Sequence, residues 1–153
     1  MTGDRFSLLS PFAPLKIPVK LRAMKVGKLL HTRYRVNDLE RTVAFYRDIL
    51  GLAEVKRHKS PRGSELVFLQ ATGSEELIEI CYLPNSEAVQ CQSDLTHLAF
   101  EVDCLAEFEK HLVKHGLKFS DGPITSSQGT TFAFVDAPEG YEIELIQKRK
   151  VIG

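Results

Sequence analysis

The chain says one thing twice. Residues 29–37 read LLHTRYRVN and residues 95–103 read LTHLAFEVD, and the likeness continues downstream. After His31 come Val36, Leu39, Gly51 and Glu79; after His97 come Val102, Leu105, Gly116 and Glu144. Forty-eight residues separate His31 from Glu79 and forty-seven separate His97 from Glu144. Self-similarity on this scale marks two copies of one structural unit, and it must be found before any local element is assigned. A histidine opens each copy and a glutamate lies near its end.

The rest of the chain falls into place around that repeat. In the first copy a strand is expected over 28–36. A helix follows from Asp38 to Leu50, capped by Asn37 or Asp38 and closed by Gly51. Leu39, Val43, Tyr46 and Leu50 recur at helical spacing and predict its buried stripe. Strands are expected near 53–58, 65–70 and 76–83, separated by Ser60-Pro61-Arg62-Gly63 and Thr72-Gly73-Ser74. The second copy predicts a strand at 96–102, a helix from Leu105 to His115 closed by Gly116, and strands near 117–120, 130–135 and 141–147. Asp121-Gly122-Pro123 and the 136–140 segment read as turns. Each copy is thus a βαβββ module, about 28–83 and 96–148, joined by a polar link at 84–94. The expected fold class is α+β: a single domain over 24–150 built from two tandem modules. Residues 1–23 stand apart. They are basic, and Pro11, Pro14 and Pro18 argue against a helix; a disordered tail is the favoured reading and a transit-type extension the other.

Composition narrows the partners. With 153 residues and a formal net charge of zero, the chain has the size of one ordinary domain and lacks the basic surplus that nucleic acids or anionic membranes attract. No apolar run approaches the roughly 20 residues that cross a bilayer. Three cysteines, Cys81, Cys91 and Cys104, are odd in number and lack C-x-x-C spacing, which fits a reducing cytoplasm and idle or buried thiols better than a disulfide scaffold.

Alternation along the strands sorts the side chains. Thr32, Tyr34 and Val36 share one face with Ile78, Ile80 and Tyr82; His31, Arg33 and Arg35 share the other with Leu77, Glu79 and Cys81. In the second module Leu98, Phe100 and Val102 oppose His97, Ala99 and Glu101, while Ile143 and Leu145 oppose Glu142 and Glu144. Each sheet therefore has an apolar face for its helix and a polar face. The polar faces are either solvated or line a cleft. Simple solvation explains poorly why His and Glu recur at matching places, and two imidazoles with two carboxylates make an N2O2 set suited to a divalent ion.

The segments LLHTRYRV, AFYRDILGL, LIEICY, THLAFEVD and GTTFAFVDAPEGYEIELI resemble those of glyoxalase I (lactoylglutathione lyase), of the vicinal oxygen chelate superfamily, over about residues 25–148. The resemblance implies that fold, also described as glyoxalase/bleomycin-resistance-like, and four metal ligands at His31, Glu79, His97 and Glu144. It implies a divalent metal, with nickel or cobalt favoured and zinc as an option. It further implies a homodimer in which each site draws His31 and Glu79 from one chain and His97 and Glu144 from the other. The implied reaction is isomerisation of the hemithioacetal of methylglyoxal and glutathione, chelated through its vicinal oxygens, to S-lactoylglutathione by way of an enediolate. Glu144 is the first candidate for the base and Glu79 the second, and Arg35 matches the arginine that meets the glutathione carboxylate. Arg33 reads as ordinary surface. The chain departs from the family at other thiol-recognition positions: Leu83 stands where asparagine is common, Ser93 where arginine is, and the 124–128 loop lacks its usual lysine. An epimerase of methylmalonyl-CoA type is the nearest alternative, though that family favours glutamine at the position of Glu79. An extradiol dioxygenase would need only three ligands, and a non-catalytic binding protein of the same fold would usually have lost some.

Overall fold

The computed structural model describes residues 25–147. The expectations for residues 1–23 and for the limits of the domain at 24 and 148–150 lie outside them. Eight strands form two four-stranded sheets: β1 (His31–Val36), β2 (Ala53–Lys59), β3 (Glu65–Gln70) and β4 (Leu77–Tyr82) in the order β1-β4-β3-β2, and β5 (His97–Val102), β6 (Asp121–Thr125), β7 (Thr131–Asp136) and β8 (Glu142–Gln147) in the order β5-β8-β7-β6. In each sheet the first strand runs parallel to the last, and the other pairs are antiparallel. The helix after the first strand supplies the crossover that a parallel pair requires. The twofold βαβββ plan expected from the repeat is the observed one.

The register puts the repeated residues in equivalent places. Arg33 pairs with Glu79 across β1 and β4, and Ala99 pairs with Glu144 across β5 and β8. Each histidine sits two residues back on the neighbouring strand, on the same face as its glutamate, because side chains repeat every second residue.

The helix of the first module departs from a regular one. Asp38 caps it by accepting from the Arg41 amide at 3.0 Å, and α1 runs Leu39–Ala44 before widening into a π-helical turn at Phe45–Ile49. The Leu50 amide reaches back to the Phe45 carbonyl at 3.3 Å. This extra residue per turn moves the buried stripe along, so Phe45 and Ile49 are buried beside Leu39, Val43 and Tyr46, while Leu50 is only half-buried. The second helix, α2 (Leu105–Lys114), has no side-chain cap at Cys104. The Leu105 amide is satisfied instead by Gln147 Oε1 of β8, at 2.7 Å.

The strand expected at 117–120 is not there. Leu117 and Phe119 pack against the core as irregular chain, and the strand lies at 121–125, over the segment read as a turn. All five residues of β6 are exposed, so no alternation could betray it in the sequence. It is an edge strand, where a proline's missing N–H is tolerated. A register shift between Asp121 and Ile124 absorbs Gly122 and Pro123, which are joined by a cis peptide bond. Gly122 has φ +85°, and a Cβ there would stand 2.9 Å from the Phe132 carbonyl oxygen, so only glycine fits. The first strand begins at His31 rather than 28; the Leu30 carbonyl still accepts from the Leu77 amide at 3.0 Å.

One core serves both modules. Val43, Tyr46, Leu69 and Ile80 from the first belong to the same buried cluster as Leu112, Val135, Ile143 and Leu145 from the second. Polar staples reinforce the seam. Asn37 exchanges two hydrogen bonds of 2.7 Å with the Val89 backbone, Glu139 accepts from the Asn37 amide and the Thr42 hydroxyl, and the Tyr141 hydroxyl donates to the Arg35 carbonyl at 2.9 Å. The helix-bearing faces of the two sheets thus join, and the faces that carry His31 and His97 look away from the joint core.

Candidate metal centre

In the first module His31 Nε2 lies 3.2 Å from Glu79 Oε2. In the second, His97 Nε2 lies 3.3 Å from Glu144 Oε2. The setting of the two rings is also repeated: His31 meets Phe68 edge-on with centroids 5.7 Å apart, and His97 meets Phe134 at the same separation and angle. Phe68 pairs with Glu79 and Phe134 with Glu144 in the registers, so each glutamate is flanked by the ring that steers its histidine. The phenyl partners were not found by reading the sequence, although their equivalent places in the repeat were the available signal.

Each pair sets an imidazole nitrogen beside a carboxylate oxygen. Bonds of about 2.1 Å from imidazole nitrogen and carboxylate oxygen to a divalent ion leave neighbouring donors about 3 Å apart, and both pairs meet that spacing. The donor types suit nickel, cobalt or zinc. Two donors are half a set, however. Among the described residues no group of three or more His, Cys, Asp or Glu side chains gathers closely enough to hold a metal. The folded chain brings His31 to Glu79 and His97 to Glu144, and does not bring the two pairs together.

The glutamates are unusually sheltered for carboxylates. The Glu79 side chain is 6% exposed and that of Glu144 18%, against 44% and 46% for His31 and His97. Leu66, Phe68 and Cys81 form a small buried cluster on the Glu79 face, which places Cys81 in packing. Arg33, read from sequence as ordinary surface, is bound to the site: its Nε donates to Glu79 Oε1. That hydrogen bond holds the guanidinium pKa above its ordinary value. Its side of the strand and its register opposite Glu79 were the signals that could have marked it. Arg35 lies on the same face, half-buried, and its backbone is fixed through its carbonyl by Tyr141 of the other module.

The charge of the two faces differs in sign. The face of Phe68 and Glu79 also carries Arg33 and Arg35 of β1, with the Lys56 ammonium 5.6 Å from the Phe68 ring centroid and His58 stacked on that ring. Around Phe134 stand Glu142 and Glu144, with Glu101 on the same side of β5.

Comparison with known proteins agrees with this architecture. A sequence profile of the Glyoxalase/Bleomycin resistance protein/Dioxygenase superfamily matches residues 28–145. A lactoylglutathione lyase of Salmonella typhimurium is 32% identical over 127 residues, covering 80% of this chain and 93% of the relative. One from Neisseria meningitidis is 33% identical over 128 residues, covering 80% and 91%. Among solved structures, glyoxalase I from Zea mays superposes with a TM-score of 0.70 at 27% identity; it covers 80% of this chain, which spans only 45% of the maize protein. The trypanothione-dependent glyoxalase I of Leishmania major gives 0.67 at 29% identity, over 80% of this chain and 87% of its own. The chain belongs to the Glyoxalase/Bleomycin resistance protein/Dioxygenase superfamily, and its relatives within it include lactoylglutathione lyases.

Proposed function

We propose that this protein is a metal-dependent glyoxalase I-type isomerase that converts the hemithioacetal of methylglyoxal and glutathione to S-lactoylglutathione. The observation that carries the proposal is the twice-built pair: imidazole nitrogen and carboxylate oxygen 3.2 and 3.3 Å apart, on equivalent strands of two modules. His31, Glu79, His97 and Glu144 would hold the ion, nickel or cobalt before zinc. Because one chain keeps the pairs apart, the reading requires a homodimer in which the His31–Glu79 face of one chain meets the His97–Glu144 face of its partner. The basic character of the first face and the acidic character of the second favour that pairing and disfavour like faces meeting.

Held by His31, Glu79, His97 and Glu144, a divalent ion would supply Lewis acidity, stabilising the negative charge that develops as the carbon-bound proton leaves. The residues do the remainder. Glu144 takes the proton from the carbon that bears sulfur and returns it to the neighbouring carbon, while the hydroxyl proton of the hemithioacetal passes to the former ketone oxygen, so that the ketone becomes the hydroxyl-bearing carbon and the hemithioacetal carbon becomes the thioester carbonyl. Its partial burial keeps the carboxylate out of bulk water while leaving it more room than Glu79 has. Arg35, on the same face as His31, offers a cation to a carboxylate of the glutathione moiety. Phe68 and Phe134 supply apolar walls that exclude water from the reacting carbons. The cysteines Cys81, Cys91 and Cys104 are all unpaired, and no helix among the described residues is long and apolar enough to cross a membrane; a cytoplasmic setting accommodates both.

The test is an assay of the purified full chain reconstituted with Ni²⁺, following thioester formation from methylglyoxal with glutathione, with other thiols, and with methylmalonyl-CoA as a separate substrate. Thioester formation with glutathione is expected. Turnover of methylmalonyl-CoA alone would move the assignment to an epimerase. The absence of turnover on every substrate, with metal bound, would favour a binding protein.

A further inference from the structure

The two pairs share their strands, their register and the ring beside the histidine, but not the residue across from the glutamate. At the register position opposite the glutamate, β1 carries Arg33 and β5 carries Ala99. Arg33 Nε donates to Oε1 of Glu79, whose Oε2 faces His31 Nε2 at 3.2 Å. Both oxygens of that carboxylate are therefore directed, in a side chain only 6% exposed. Glu144 has the matching contact to His97, and where a cation would grip it from the neighbouring strand there is a methyl group.

We propose that Arg33 is a positioning residue: it locks Glu79 as a fixed one-oxygen ligand of the metal, so that of the two carboxylates only Glu144 is free to leave the ion and carry the proton. The inference rests on the metal-centre reading above. A guanidinium is a rigid, permanently charged fork with its donors in one plane, and a donor bound to one carboxylate oxygen fixes the plane of the group and leaves the other oxygen for the ligand bond. Arg33 reaches Glu79 from the rim, with about half of its own side chain in solvent, so its removal leaves no cavity in the core. The asymmetry is a property of this chain's sequence rather than of the repeat, which would place the same residue at both positions.

The experiment uses the full chain stripped of metal, with Ni²⁺ affinity measured by competition against a chelator and turnover measured at saturating Ni²⁺. Arg33→Met should bind Ni²⁺ roughly 10- to 100-fold more weakly, with the thermal midpoint of the metal-free protein little changed. Arg33→Lys, which keeps a cation, should recover part of that loss. Ala99→Arg should bind Ni²⁺ as tightly as the parent or tighter, yet lose about tenfold or more in kcat, while Ala99→Met, a control for bulk, keeps its kcat. Parental Ni²⁺ affinity in Arg33→Met, or an unchanged kcat in Ala99→Arg, would overturn the inference. If the parent protein itself binds no Ni²⁺, the metal-centre reading falls instead, and the two failures are told apart by that first titration.

Discussion

The first and second half-sites are built on the same strands in the same register, yet they differ in depth and in charge. Glu79 sits in a sheltered pocket backed by Leu66, Phe68 and Cys81, with a guanidinium on its flank. Glu144 is three times as exposed and is flanked by acids and by Ala99. A duplicated fold keeps what the backbone imposes, namely the histidine, the glutamate and the ring behind them. It releases what individual side chains decide. On the proposed reading, the difference separates a half-site that holds an ion still from one that moves a proton.

The largest effects should test that division. Removing divalent metal with a chelator should abolish turnover, and Ni²⁺ or Co²⁺ should restore it, read in the thioester assay. Glu144→Gln should lower kcat by roughly 10²–10⁴-fold, the usual share of a general base, with an unchanged far-UV circular dichroism spectrum; retention of full activity would remove Glu144 from that role and make Glu79 the mobile group. The cores should behave alike where the sites do not. Ile80 and Leu145 are both buried to within 1% at equivalent positions of β4 and β8, so truncation of either to alanine should cost about 2–5 kcal/mol in urea unfolding. A clear inequality would show that one module carries the fold.

Smaller effects sharpen the contrast between helices. Asp38 caps α1 and Cys104 makes no such bond at α2. Asp38→Ala should cost about 1 kcal/mol and Cys104→Ala almost nothing, both measured by thermal unfolding. The least effect is expected from charge. Lys56→Glu, which turns a basic residue on the first face acidic, should weaken self-association by about 1 kcal/mol or less. Sedimentation across a salt series should show a flatter dependence than the parent's; an unaltered salt dependence would leave the opposed charges without a part in pairing.

How far the sequence reaches is clear from particular residues. The repeat of His31 and Glu79 in His97 and Glu144 foretold the duplicated modules and the shared parity of each pair, because strand alternation is a local rule. It failed at β6, whose exposed edge has no alternation to read, and at the end of α1, where a single inserted residue rotates the buried stripe. It also passed over Arg33 and the two phenyl rings, since contacts across strands depend on a register that no single strand carries.

What the sequence determined alone was therefore the fold's period: which residues face the helices and which face away. That follows from backbone geometry repeated along the chain. Only the tertiary structure decided that the helix-bearing faces of both sheets join in one core, turning the His31–Glu79 and His97–Glu144 pairs outward and apart. Burying two apolar faces against each other is the dominant favourable term. It is indifferent to where the polar residues end up, and in this chain it leaves the two His–Glu pairs on separate faces.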